Sequence, residues 1–123
     1  MIKSMILAGC GGFVGTCGRY LVGKIASSLY LGVFPLGTFM ANIVGCFIIG
    51  VLFGLLERGN VLSANANMLL ITGFCGGFTT FSTFANDAWN LGSKGSFAVS
   101  IAYVVASVIL GILMVWLGRW LLK

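Results

Sequence analysis

The sequence predicts an all-α membrane protein of four transmembrane helices, with the third helix broken at its centre. Three observations carry that prediction. Hydrophobic residues make up 59% of the 123 and charged residues only 7%, against roughly 25% charged in ordinary soluble domains, and the mean hydropathy is +1.11. The chain divides into four apolar stretches, roughly 4–26, 34–56, 65–91 and 97–120, each matching the roughly 20 helical residues that span a bilayer core. Within the third, the run from Gly73 to Phe84 gathers Gly73, Gly76 and Gly77 with Thr79, Thr80, Ser82 and Thr83. Glycine weakens a helix by about 1 kcal/mol relative to alanine, and backbone freed at membrane depth persists only where it is buried in protein or lines a cavity. The break is therefore where function is expected.

The first stretch holds Gly11, Gly15 and Arg19 four apart on one ridge, a pattern that lets membrane helices approach closely. It is too long for a signal peptide's apolar region, contains Arg19 and precedes three further spans, so it is read as a retained helix. Arg19 either snorkels toward the span's end or sets a positive potential at a pore mouth. The second stretch opens at Pro35, suited to a first helical turn. Its single amide, Asn42, is either glue between helices or a ligand donor in a cavity. A polar turn from Glu57 to Asn67 follows, with Ser63 or Asn65 as caps.

Two half helices meeting inside the third span would set carbonyls from one against amides from the other, an arrangement suited to an ion. Phe81 and Phe84 lie three apart and share a helix face. On the fourth stretch Ser96, Ser100, Tyr103, Ser107 and Gly111 recur at helical spacing, so one face is small and polar. Its serines either bond back to their own helix or line a hydrated track. Nothing marks a second domain, and residues 1–123 are expected to form one transmembrane unit.

Charge placement says little about orientation. With an even number of spans, Lys3, Arg58, Arg119 and Lys123 stand on one side against Arg19, Lys24 and Lys94 on the other, and so small a bias under the positive-inside rule permits insertion both ways. The net charge of +5 is mostly anchor charge beside the spans, which argues against a nucleic-acid partner. Cys10, Cys17, Cys46 and Cys75 all fall inside spans and read as small apolar residues. There is no histidine and no metal-type cysteine spacing, which removes most metal and general-base chemistry.

At 12.9 kDa four helices are too few to surround a conduit, so transport implies an oligomer, most simply a two-fold dimer. A proton-coupled drug exporter of this size needs a titratable carboxylate in the membrane; this chain offers Glu57 and Asp87, both near predicted span ends. What lies inside the spans is neutral donors: the Asn42 amide and the hydroxyls of Thr79, Thr80, Ser82, Thr83, Tyr103 and Ser107. Together with the positive edges of Phe81 and Phe84, these suit an anion held weakly enough to leave.

Three runs then add specificity. G-G-x-x-G-x-x-x-R-Y from Gly11 to Tyr20, P-x-G-T-x-x-x-N-x-x-G from Pro35 to Gly45, and G-F-C-G-G-F-T-T-F-S-T-F from Gly73 to Phe84 together resemble the Fluc, or CrcB, family of bacterial fluoride channels over essentially the whole chain. The resemblance implies an antiparallel, dual-topology homodimer in the bacterial inner membrane, with two parallel fluoride pores and passive, voltage-driven export that confers fluoride resistance. By similarity Phe81 and Phe84 are the ring-edge contacts, Asn42 the amide beside them, and Tyr103 and Ser107 the polar track, with Thr80 and Thr83 near the pore and Arg19 at an aqueous vestibule. Gly111 and Val115 lack hydroxyls where that track would continue. The family also holds a structural sodium ion on the dimer axis through backbone carbonyls, here matching Gly76 and Thr79. No enzymatic activity is implied.

Overall fold

The computed structural model describes residues 1–59 and 63–122; part of the polar turn and Lys123 lie outside them. Four helices among the described residues are long and apolar enough to cross a membrane. The first is α1 (Ile2–Leu29) and the second α2 (Leu36–Glu57). The third span comprises α3 (Ala64–Asn67), a π-helical segment (Met68–Cys75), α4 (Gly76–Phe78) and, beyond a break, α5 (Ser82–Ser93). The fourth is α6 (Phe97–Leu121). The four match the four apolar stretches read from the sequence.

Local signals set the ends. Ser63 caps α3, its hydroxyl accepting the Ala66 N–H at 3.1 Å, which satisfies one of the orphan donors of a first turn. Pro35 is the cap of α2 and Leu36 its first residue, so the proline stands one position earlier than expected, within the ordinary raggedness of helix ends. Between α5 and α6 the chain reverses at Gly95, whose φ of 90° is a conformation that side chains with a Cβ rarely adopt.

Glycine ridges decide which helices touch. A methyl carbon at Gly11 would overlap the Leu69 carbonyl and lie 2.8 Å from the Phe74 nitrogen; one at Gly15 would overlap the Phe74 carbonyl and lie 2.9 Å from the Phe78 nitrogen. α1 thus runs with its backbone against the π-helical segment and α4, while α2 lies along α6 and α5 packs on α6. The small-residue ridge seen in the sequence is this contact, where dispersion between close backbones replaces the hydrophobic drive that lipid cannot supply.

The buried centre includes Ala41, Cys75, Phe78, Leu91 and Tyr103, whereas Ile101, Val105, Val108, Ile109 and Ile112 on α6 face outward. Such a surface suits lipid or a second protein rather than water. One end carries a Trp116–Trp120 stack with ring centroids 6.1 Å apart and an Arg119–Glu57 ion pair, the aromatic and charged belt of a membrane interface.

The break is narrower than the glycine-rich run that announced it. Gly73, Gly76 and Gly77 are helical, and only Thr79, Thr80 and Phe81 leave the helix. Two of these glycines serve packing instead: a methyl at Gly77 would lie 2.5 Å from the Gly12 carbonyl oxygen and one at Gly73 would lie 2.7 Å from that of Ala8.

Candidate functional site

Thr79 turns the chain out of the helix with φ −90° and ψ 157°, and Phe81 returns it to helical angles at the start of α5. The carbonyl end of α4 and the amide end of α5 therefore meet here, bringing the partial negative charge of one helix dipole beside the partial positive charge of the other. Two side chains stabilise the meeting. Asn42 of α2 donates its Nδ2–H to the Thr80 carbonyl at 2.9 Å and accepts the Thr80 N–H on Oδ1 at 2.8 Å. The pairing fixes which way the amide faces and, among the described residues, leaves one Nδ2–H without a partner. Arg19 of α1 donates Nε–H to the Gly77 carbonyl at 3.1 Å, placing a guanidinium on the negative end of the first half helix.

These bonds divert the donors that a continuous helix would use. The Thr80 N–H, which would reach the Gly76 carbonyl, goes to Asn42; the Thr83 N–H, which would reach the Thr79 carbonyl, goes to the Thr80 hydroxyl at 3.3 Å. The Thr79 N–H is held by Cys75 at 3.0 Å. The Gly76 and Thr79 carbonyls are left without a helical donor, and oxygen donors of this kind suit a hard cation.

Beside the break lies a cavity of about 310 Å³ lined by Asn42, Cys46, Thr80, Phe81, Phe84 and Ser107 among others. Phe81 is 78% exposed, its ring 5.8 Å from that of Phe84 and inclined at 52°. Phe84 in turn lies 5.0 Å from Tyr103, which also meets Phe34 edge-on at 5.3 Å. The Tyr103 and Ser107 hydroxyl oxygens are buried; Asp87 of α5 faces the Tyr103 hydroxyl and Thr38, whereas Ser107 has no protein hydrogen bond among the described residues. Buried hydroxyls are nearly always bonded, so the Ser107 hydroxyl, which lines the cavity, marks a place where something else is accepted.

The spacing arguments thus gather Asn42, Thr79, Thr80, Phe81, Phe84 and Ser107 around one cavity. Tyr103 stands behind Phe84 rather than in the lining. Thr83 is exposed, and its backbone rather than its hydroxyl enters the network. Gly76 is exposed on the chain's surface. Arg19 lies on the far side of the break in a second cavity of about 410 Å³, shared with Thr16, Tyr20, Lys24, Ser27 and Thr38. The lining residues not singled out from the sequence are Gly45, Cys46, Ile49 and Val108; the first three follow Asn42 at offsets of three, four and seven, so the helical face of Asn42 was the available signal.

The family described as CrcB-like protein, Camphor Resistance (CrcB), matches residues 6–119. The chain belongs to the CrcB family. Among curated relatives, a protein of Rhizobium etli named fluoride-specific ion channel FluC is 42% identical over 123 residues, covering 100% of this chain and 98% of its own length. One of Azobacteroides pseudotrichonymphae with the same name is 39% identical, covering 96% and 94%, and FluC 1 of Brucella melitensis is 44% identical, covering 92% and 94%. This CrcB protein is therefore similar over 92–100% of its length to relatives named as ion channels.

Proposed function

We propose that this chain is the subunit of a fluoride-selective channel that exports fluoride passively across the bacterial inner membrane. The observation that carries the reading is the cavity at the break. It combines a spare Asn42 N–H, the Ser107 hydroxyl and two aromatic rings, with no fixed positive charge in its lining. A strongly hydrated anion needs its water replaced by donors, yet conduction needs it released again. Neutral donors and positive ring edges meet both demands. Arg19 and Lys24 in the neighbouring cavity raise the local anion concentration without gripping the ion at the narrow point.

The driving force requires no cofactor chemistry. Fluoride trapped inside an inside-negative cell leaves with about 2.3 kcal/mol per charge per 100 mV. The subunit works as an antiparallel dual-topology homodimer with two pores. Two features support this pairing: the weak charge bias, and the exposure of Gly76, Phe81, Ser82 and Thr83 beside the break. The Gly76 and Thr79 carbonyls, whose helical donors are diverted, would hold a sodium ion. There it would neutralise the carbonyl ends of two half helices. With the four native cysteines replaced by alanine, a cysteine placed at the N-terminus should be labelled by an impermeant maleimide both on intact cells and on inverted membrane vesicles; labelling from one face alone rejects the opposed arrangement.

Purified protein in liposomes should pass fluoride rapidly under an applied potential, read with a fluoride electrode, and should pass almost no chloride. Equal flux of both ions would overturn the assignment. Phe81→Ile and Phe84→Ile should each lower fluoride flux about fivefold while the protein elutes as wild type on gel filtration, since each removes a ring edge worth about 1 kcal/mol. Undiminished flux in both variants removes the rings from the path.

A further inference from the structure

Tyr103 is fully buried, and phenylalanine rings enclose it from three directions. Phe84 lies 5.0 Å away at 54°, Phe39 of α2 lies 6.5 Å away at 50°, and Phe34 meets it edge-on, 5.3 Å away at 86°. Phe84 and Phe39 come from helices, whereas Phe34 comes from residues 30–35, the connection between α1 and α2. Phe81 is inclined against Phe84, so a line of rings, Phe34, Tyr103, Phe84 and Phe81, runs from that connection to the cavity at the break. Rings in such pairs keep their tilt because the positive edge of one seeks the negative face of the other. Each member of the line therefore sets the inclination of the next.

The connection is shaped to turn Phe34 inward. Leu31 and Val33 are 94% and 68% exposed, whereas Phe34 is half-buried. Pro35 disfavours helical angles at the residue before it, and the Leu36 N–H donates to the Phe34 carbonyl at 2.8 Å. The Tyr30 phenol lies over Gly32, where a methyl would overlap it. Phe34 is absent from the lining of the cavity at the break, so an ion there does not touch it. We propose that Phe34 is a positioning residue for the ion path: its ring braces Tyr103, and Tyr103 holds Phe84 at the inclination in which Phe84 lines the cavity. This rests on the channel reading above and adds to it a residue outside the cavity. Asp87 faces the Tyr103 hydroxyl and fixes the tip of that ring, which leaves its tilt to the rings packed against it. Without Phe34, Tyr103 is free to tilt into the cavity of about 310 Å³ that Phe34 lines with Tyr30, Thr38 and Asp87, and Phe84 loses its backing.

The test is a double-mutant cycle on the full-length protein, read as fluoride efflux from liposomes. Phe34→Leu keeps an apolar side chain and removes the ring, and is expected to slow efflux about threefold while the protein elutes as wild type on gel filtration. In a chain that already carries Phe84→Ile, adding Phe34→Leu should change efflux little, because residues that act through one another are not additive. Phe34→Tyr keeps the ring and is expected to conduct as wild type, since the cavity beside it has room for an added oxygen. Val33→Ala, at the exposed neighbour in the same connection, should leave efflux unchanged. Wild-type efflux for Phe34→Leu, the same loss when it is added to Phe84→Ile, slow efflux for Phe34→Tyr, or an equal loss for Val33→Ala each overturns the proposal. If Phe34→Leu does not elute as wild type, Phe34→Met, whose flexible chain fills irregular space, takes its place throughout; if neither does, Phe34 serves the fold alone and the proposal fails. A wild-type chain that passes no fluoride removes the channel reading and this one with it, whereas normal wild-type flux with indifferent Phe34 variants removes only this one.

Discussion

Asn42→Ala is expected to cut fluoride flux by more than about tenfold and to lower the melting temperature of the purified protein. The amide holds the Thr80 peptide from both sides, at 2.9 Å on its carbonyl and 2.8 Å on its N–H. Alanine strands both groups, and each unsatisfied buried group costs about 1–3 kcal/mol. The chain can recover part of this by closing the Thr80 N–H onto the Gly76 carbonyl, as a continuous helix does. That closure would turn Phe81 away from its present position and occupy an oxygen suited to a cation, so stability and conduction should fall together. Asn42→Asp separates the roles further: it keeps an acceptor for the Thr80 N–H, loses the donor to the carbonyl, and places a negative charge in the path of an anion. Its flux should be lower than that of Asn42→Ala at neutral pH. Paired efflux and thermal-shift measurements check both, and a wild-type efflux rate for Asn42→Ala returns the residue to simple packing.

The amide's dual engagement shows where sequence reasoning reached and where it stopped. Spacing alone put Asn42 in the membrane and left open whether it bonds another helix or a ligand; the structure has it bonding another segment with two of its four hydrogen-bonding positions while lining a cavity with the remainder. Helix spans were legible because hydropathy and length are local properties. The break was legible for a partly mistaken reason. Its glycines read as helix breakers, yet Gly73 and Gly77 are helical and admit α1, while the residues that leave the helix are Thr79, Thr80 and Phe81. Glycine propensity is a weak prior that close packing overrides. Cys46 was legible only as a small apolar residue, since its place beside Gly111 depends on the approach of α2 to α6, which no single helix encodes. Arg19 was read as lying near an aqueous mouth, and its bond to the Gly77 carbonyl needed the third span folded against α1.

Gly15→Val and Gly11→Val are expected to have the largest effect on assembly of any single substitutions here. At each position the added carbon overlaps a carbonyl oxygen of the third span, and backbone atoms cannot turn aside as a flexible side chain would. Overpacking costs about 1–3 kcal/mol where neighbours can adjust; here the only adjustment is movement of α1 away from the π-helical segment and α4. That movement stretches the Arg19 bond to Gly77, four residues along from Gly15 on the same ridge, and so releases the carbonyl end of the first half helix that the guanidinium stabilises. Loss of folded protein on gel filtration is the expected result for both. Gly9→Ala and Gly12→Ala are the internal controls on the same helix, because a methyl at Gly9 meets nothing within 4 Å and one at Gly12 only the Gly73 carbonyl oxygen at 3.7 Å, an ordinary contact, and both should assemble and conduct as wild type. If Gly15→Val assembles and conducts normally, α1 does not lie against the break at this distance. If the controls fail as well, backbone contact with the third span is not what makes glycine necessary on α1, and helix propensity is excluded too, since alanine is the better helix former.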